Sequence, residues 1–156
     1  MDFESLGYLG LFLVCFIASS LYPLGSEVFV IGFIALDYSS LGVLIVATCG
    51  NTLGSLSTYY LGYLGENYGK KYGSKKMLLK IQYYQDKMNR WGFVYAFFTF
   101  LPLIGDGFAF VLGYIKYPFW KAVLFIALGK AFRYYLLIFG TLWGLENTEL
   151  NTLFNS

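Results

Sequence analysis

The sequence predicts an all-α integral membrane protein, and three observations carry that prediction. Of 156 residues, 58% are hydrophobic and 13% charged, about half the charged share of a soluble domain. Mean hydropathy is +0.59. The apolar stretches have the lengths that bilayers require, about 20 residues for one crossing, and two of them are interrupted by proline. One compact membrane domain over residues 1–156 suits this length. Sixteen Phe, fifteen Tyr and three Trp add an aromatic load typical of membrane interfaces. There is no His, which excludes His-ligated metals and a Ser-His-Asp triad. Cys15 and Cys49 both lie in apolar runs and read as small hydrophobes rather than a disulfide. Met1-Asp2-Phe3-Glu4 is acidic where a cleavable signal would be basic.

In chain order, residues 6–36 are apolar except for Ser19-Ser20-Leu21-Tyr22-Pro23-Leu24-Gly25-Ser26-Glu27. The stretch is too long for one crossing and too short for two. Proline lacks a backbone donor and glycine weakens helix, so two half-helices meeting at Pro23 and Gly25 predict a re-entrant hairpin. Asp37-Tyr38-Ser39-Ser40 is a turn. Residues 41–64 read as a transmembrane helix with Gly50-Asn51-Thr52-Leu53-Gly54 near its middle, where the GxxxG spacing lets another helix approach closely.

Residues 66–90 hold seven of the eleven basic residues. From Lys75 onward, Met77, Ile81, Tyr84, Met88 and Trp91 recur at steps of four and three, with Lys80, Lys87 and Arg90 on another face. This predicts an amphipathic helix on the anionic inner leaflet, and no nucleic-acid site. Residues 91–115 repeat the broken apolar pattern at Leu101-Pro102-Leu103-Ile104-Gly105-Asp106, with Pro102 and Gly105 at the break. Lys116-Tyr117-Pro118 is a turn, 119–144 a second transmembrane helix, and 146–156 a polar tail outside the membrane.

A shift of 79 residues lays the first half on the second without a gap. Pro23 falls on Pro102, Glu27 on Asp106, Tyr38 on Tyr117 and Gly50 on Gly129. With both hairpins re-entrant, Lys116 and Lys121 share the cytoplasmic side with the basic segment, and both termini lie outside. That distribution satisfies the positive-inside rule. The halves then become inverted repeats, an arrangement of secondary transporters.

Four ionisable residues fall inside membrane-embedded segments: Glu27, Asp106, Lys130 and Arg133. Lys130 lies roughly 13 Å below Lys121 at 1.5 Å per residue, and burying such a charge costs at least ~2.5 kcal/mol. Lys130 and Arg133 share a helix face, with Tyr134 and Asn51 as hydrogen-bonding partners. Two cations and two carboxylates at the repeat interface suit a phosphate headgroup. The plainer reading is a pair of structural ion pairs, Glu27–Lys130 with Asp106–Arg133 or the crossed combination. A carboxylate in such a cleft can also carry a proton for coupling.

Pro23-Leu24-Gly25-Ser26-Glu27 and Gly50-Asn51-Thr52-Leu53-Gly54, with Tyr59 and Gly62, resemble the first half of the DedA family (VTT or SNARE-associated domain). Arg90-Trp91-Gly92, Leu101 to Asp106, Gly113 and Gly129-Lys130-Ala131-Phe132-Arg133-Tyr134 resemble its short YqaA-like branch. The resemblance covers residues 6–145. It implies two facing re-entrant hairpins and lipid transport: bacterial members are implicated in recycling undecaprenyl phosphate, eukaryotic relatives scramble phospholipids, and dependence on the proton-motive force is associated with the family. Many members carry arginines on both sides of the second-hairpin proline. Thr99 or Phe100 and Gly105-Asp106 stand there in this chain, leaving Arg133 and Lys130 to supply the positive charge.

The expected function is therefore a flippase or scramblase for a phosphate-bearing lipid, a polyprenyl phosphate or a phospholipid, in the bacterial inner membrane. A small-solute or ion transporter and a scaffold acting through the 66–90 helix are the alternatives. No cofactor, metal or catalytic residue is expected, since no nucleophile and base stand together. Membrane lipids are the expected partners, and a homo-oligomer is left open.

Overall fold

The computed structural model describes residues 3–20, 25–72, 83, 94 and 105–154; the side chains of 3, 67–72, 106 and 148–154 are outside that description. Pro23, Pro102, Thr99, Phe100 and, apart from residues 83 and 94, the amphipathic stretch from Lys75 and the first arm of the 91–115 segment lie outside the described residues. The described residues form five helices: α1 (Phe3–Ser20), α2 (Ser26–Ala35), α3 (Ser40–Tyr72), α4 (Gly105–Tyr114) and α5 (Phe119–Phe154). Two of these contain stretches long and apolar enough to cross a membrane, Ser40–Glu66 in α3 and Phe119–Asn147 in α5.

α1 and α2 form a helical hairpin whose arms return to one end. Tyr8, near the start of α1, meets Tyr38, just past α2, edge to face with ring centroids 5.3 Å apart. α3 then runs parallel to α1. The side chain of Tyr8 lies over Gly42, while the carbonyls of Phe12 and Phe16 occupy the space where a Cβ would stand on Gly50 and Gly54. The GxxxG spacing thus accommodates the backbone of the first hairpin arm. At the far end of α1, the Thr58 hydroxyl donates to the carbonyls of Ser19 and Ser20, at 3.3 Å each. These are two of the carbonyls that the end of a helix leaves without an intrahelical donor.

Both turns into the long helices are Schellman motifs. After α2, the Tyr38 N–H donates to the Phe33 carbonyl and the Asp37 N–H to that of Ile34, both at 3.1 Å. After α4, Tyr117 donates to Leu112 and Lys116 to Gly113, both at 2.9 Å. The residue at the left-handed position is Asp37 (φ 60°) in one and Lys116 (φ 56°) in the other, where glycine is usual. The hydrophobic contact that accompanies the motif is Phe33 on Tyr38, with centroids 4.7 Å apart. Leu112 and Tyr117 share a core cluster in the second turn. The starts of α2 and α4, the two left-handed residues and the starts of α3 and α5 are each separated by the same 79 residues.

α4 crosses α3 on bare backbone. A Cβ on Gly62 would collide with the Phe110 carbonyl, and one on Gly113 with the Tyr59 carbonyl. α5 lies antiparallel to α3: Phe119 packs on Tyr59 at one end, while Tyr135, Phe139 and Leu142 lie beside Ser40 and Leu41 at the other. The main core combines Leu11, Cys15, Val30, Ile34, Val43, Ala47, Tyr134 and Ile138, from α1, α2, α3 and α5.

The long helices exceed the apolar stretches that the sequence delimits at 41–64 and 119–144. α3 continues to Tyr72 and α5 to Phe154, because no proline interrupts either and water can satisfy a helix outside the bilayer. Thirty-three residues make a rod of about 50 Å, longer than a hydrocarbon core of about 30 Å.

Candidate functional site

The first hairpin break is flanked by two helix ends of opposite polarity. α1 ends at Ser20, where the helix dipole is negative, and α2 begins at Ser26, where it is positive. Each end faces a charge that complements it. Lys130 of α5, only 2% exposed, donates from Nζ to the Ser19 hydroxyl at 3.1 Å. Ser19 in turn shares a hydrogen bond of 2.7 Å with Ser55 of α3. Glu27 supplies a carboxylate to the first turn of α2 and forms an ion pair with Arg133 of α5. Arg133 stands halfway along the apolar stretch Phe119–Asn147.

A hydrogen-bonded cluster joins this charge pair to α3. The Asn51 amide Nδ2 donates to the Tyr134 hydroxyl at 2.7 Å and to Ser26 Oγ at 3.4 Å, and Ser26 and Tyr134 share a bond of 2.9 Å. All three residues are buried, Tyr134 completely. Polar groups withdrawn from water are costly unless partnered, so this cluster specifies how α2, α3 and α5 sit against one another. Lys130 and Arg133, one helical turn apart, thus engage opposite sides of one hairpin.

The ion pairing is partly that of the crossed combination: Glu27 takes Arg133, and Lys130 reaches a serine on α1. Asn51 and Tyr134 meet each other, and Gly25 directly precedes α2. Gly105, at the start of α4, is buried. The Asp106 side chain, Pro23 and Pro102 lie outside the described residues. Three participants escaped the reading from sequence alone: Ser19, Ser55 and the hydroxyl of Ser26. The available signal was that each is a small polar residue in an otherwise apolar helix.

A second ion pair closes the end of α3. The Glu66 carboxylate, fully buried, lies 2.9 Å from Lys116 Nζ, which also stands 4.7 Å from the centre of the Tyr63 ring. The hydrogen bond to Glu66 raises the Lys116 pKa above its ordinary value. Sequence alone groups Glu66 with the basic segment. It belongs to the helix before it, where it anchors the turn between α4 and α5.

Comparison with known proteins locates this arrangement among relatives. The model of the VTT domain matches residues 7–141, nearly the whole chain. The chain belongs to the VTT (DedA) family. Its relatives include a Haemophilus influenzae protein described as uncharacterized, 31% identical over 140 residues and 83% of each chain. The Escherichia coli inner membrane protein YqaA is 29% identical over 147 residues, 91% of this chain and 96% of that one. An uncharacterized protein of the archaeon Methanocaldococcus jannaschii is 29% identical over 138 residues, covering 85% and 82%. No solved structure matches the chain. The VTT match contains every described member of the Glu27–Arg133 and Asn51–Tyr134–Ser26 arrangement.

Proposed function

We propose that this VTT protein moves a phosphate-bearing lipid across the membrane, as a flippase or scramblase for a polyprenyl phosphate or a phospholipid. The observation that carries the reading is the Glu27–Arg133 ion pair, held midway along an apolar helix beside a hairpin break. An ionisable pair at that depth is expensive to keep, and its guanidinium is the best side-chain match for phosphate oxygens. In this reading Arg133 exchanges Glu27 for the headgroup, and Lys130 adds a second positive charge from the same helix face. Asn51 and Tyr134 orient the site, and Asp106 at the second break is the counterpart of Glu27. Released from Arg133, Glu27 can take up a proton, which would couple transport to a pH gradient.

The corresponding architecture is an inverted repeat of a re-entrant hairpin followed by a transmembrane helix. The shared turn geometry at a spacing of 79 residues and the antiparallel α3 and α5 support it. The end bearing Glu66, Lys116 and Lys121 faces the cytoplasm by the positive-inside rule. The membrane is the inner or plasma membrane, by analogy with the name of the Escherichia coli relative.

Reconstitution into liposomes tests this reading. Flip of polyprenyl phosphate and of ordinary phospholipids is measured with and without a pH gradient, for the wild type, Arg133→Gln and Lys130→Gln. Lipid flip lost on Arg133→Gln supports the reading. Transport of a water-soluble anion without lipid flip would replace it with a small-solute transporter. Pairing to a gradient is tested by Glu27→Gln and Asp106→Asn; flux that still follows the gradient in both variants excludes a proton carried by these carboxylates.

A further inference from the structure

Hydroxyl side chains in apolar helices ordinarily turn back onto the carbonyl four residues earlier. Among the described residues Ser57 and Thr141 do so, to Leu53 at 3.1 Å and to Leu137 at 2.9 Å. Thr48 and Thr52 do not. Their hydroxyl oxygens are buried and, among the described residues, take no hydrogen-bond partner; the same holds for Asn51 Oδ1. The three side chains stand on one face of α3, within slightly more than a single turn. Asn51 and Thr52 are exposed by only 3% and 7%.

Three such oxygens on one helix face, without a partner among the described residues, have one economical explanation. Each would cost free energy if left dry, while a buried water needs two to four polar partners, and side chains four apart on a helix are neighbours. We infer that Thr48, Asn51 and Thr52 form a buried hydration site, occupied by water in the resting protein, in the middle of the apolar stretch of α3. The chemistry of Asn51 narrows the ligand. Its Nδ2 is engaged by Tyr134 and Ser26, so Oδ1 requires a donor, which a fully ionised phosphate is not. If the amide is turned over, the outward nitrogen requires an acceptor instead. Water, or a ligand hydroxyl taking its place, satisfies either orientation. The inference stands independently of lipid transport, because it concerns the protein without substrate.

Two measurements on the full-length protein test it. An experimental structure at a resolution that shows ordered water should place density within hydrogen-bonding distance of all three side chains; well-defined side chains with no such density overturn the inference. The second measurement is thermal stability of the purified protein. Valine has the shape of threonine without its hydroxyl, so in a dry site Thr48→Val and Thr52→Val leave the melting temperature unchanged or raise it. In a hydrated site both lower it, and Thr52→Ser, which keeps the hydroxyl, retains more of the wild-type value than Thr52→Val. Val variants as stable as the wild type overturn the inference.

Discussion

The turn after α2 and the turn after α4 share one backbone and carry opposite charges. Each places a non-glycine residue in the left-handed region, and each sends the same two N–H groups back to the same two carbonyl positions. Asp37 is exposed, whereas Lys116 is tied to the buried Glu66. The helices before the turns differ as well. α2 adds an ion pair and a polar cluster to its apolar packing, while α4 meets α3 through glycines that bring backbone against backbone. Identical local geometry thus serves two kinds of packing, because hydrogen bonds within a turn do not depend on which side chains project from it.

The largest effect should come from filling the glycine contact. In Gly113→Val the new side chain collides with the Tyr59 carbonyl, so α4 must leave α3, at an expected loss of about 3 kcal/mol or more. Size-exclusion chromatography after heating should show little folded protein. Gly107→Ala on the same helix meets nothing within 4 Å and should be neutral or gain about 0.5 kcal/mol. Equal behaviour of the two variants would show that close approach does not hold the second half together.

Next in size are the charge-pair variants of the first half. Glu27→Leu removes the carboxylate from Arg133, which cannot deprotonate, and should cost about 3 kcal/mol. Arg133→Leu should cost less, because the carboxylate left behind can take up a proton. The double variant should recover stability relative to Glu27→Leu. Thermal melts of the three proteins decide whether the pair is a coupled unit.

A smaller contrast separates the turns themselves. Glycine removes the left-handed penalty, so Asp37→Gly should raise stability by about 0.5–1 kcal/mol. Lys116→Gly should show no such gain, since losing the ion pair with buried Glu66 offsets the relief. Similar gains at both sites would mean that the Glu66 contact contributes nothing.

The smallest effect is a pH dependence at the second turn. The folded-state pKa of Lys116 is raised above its ordinary value of 10.5 by Glu66. Its contribution is therefore fully present below pH 10.5 and fades as pH rises through the folded value. The difference in melting temperature between wild type and Lys116→Met should hold steady at neutral pH and narrow above pH 10.5.

Much of this architecture is legible in residue order because its signals are local. The turns follow from Asp37-Tyr38 and Lys116-Tyr117 beside the ends of apolar runs, the long helices from run length, and the closest approach of α1 from Gly50 and Gly54. Arg133, Glu27, Asn51 and Tyr134 stood out because polar side chains in apolar helices are costly. Their pairing was not legible. Glu27 and Arg133 are separated by the whole of α3 and α4, and nothing near either residue distinguishes Arg133 from Lys130 as its partner. Ser19 and Ser55 were overlooked for a related reason: a serine in an apolar helix usually satisfies its own backbone, and only the approach of Lys130 gives these two another role.

By itself the sequence determined membrane embedding, the break of the first hairpin, the two long helices and the set of polar residues that interrupt the apolar helices. Run length, proline and charge act along the chain, and they can be read there. Tertiary structure decided which charge meets which, that Glu66 belongs to α3 rather than to the basic segment, and which hydroxyls turn inward. Those outcomes depend on side chains brought together by glycine-backbone contacts between helices. The energy of such contacts depends on fractions of an ångström, a distance that residue order does not encode.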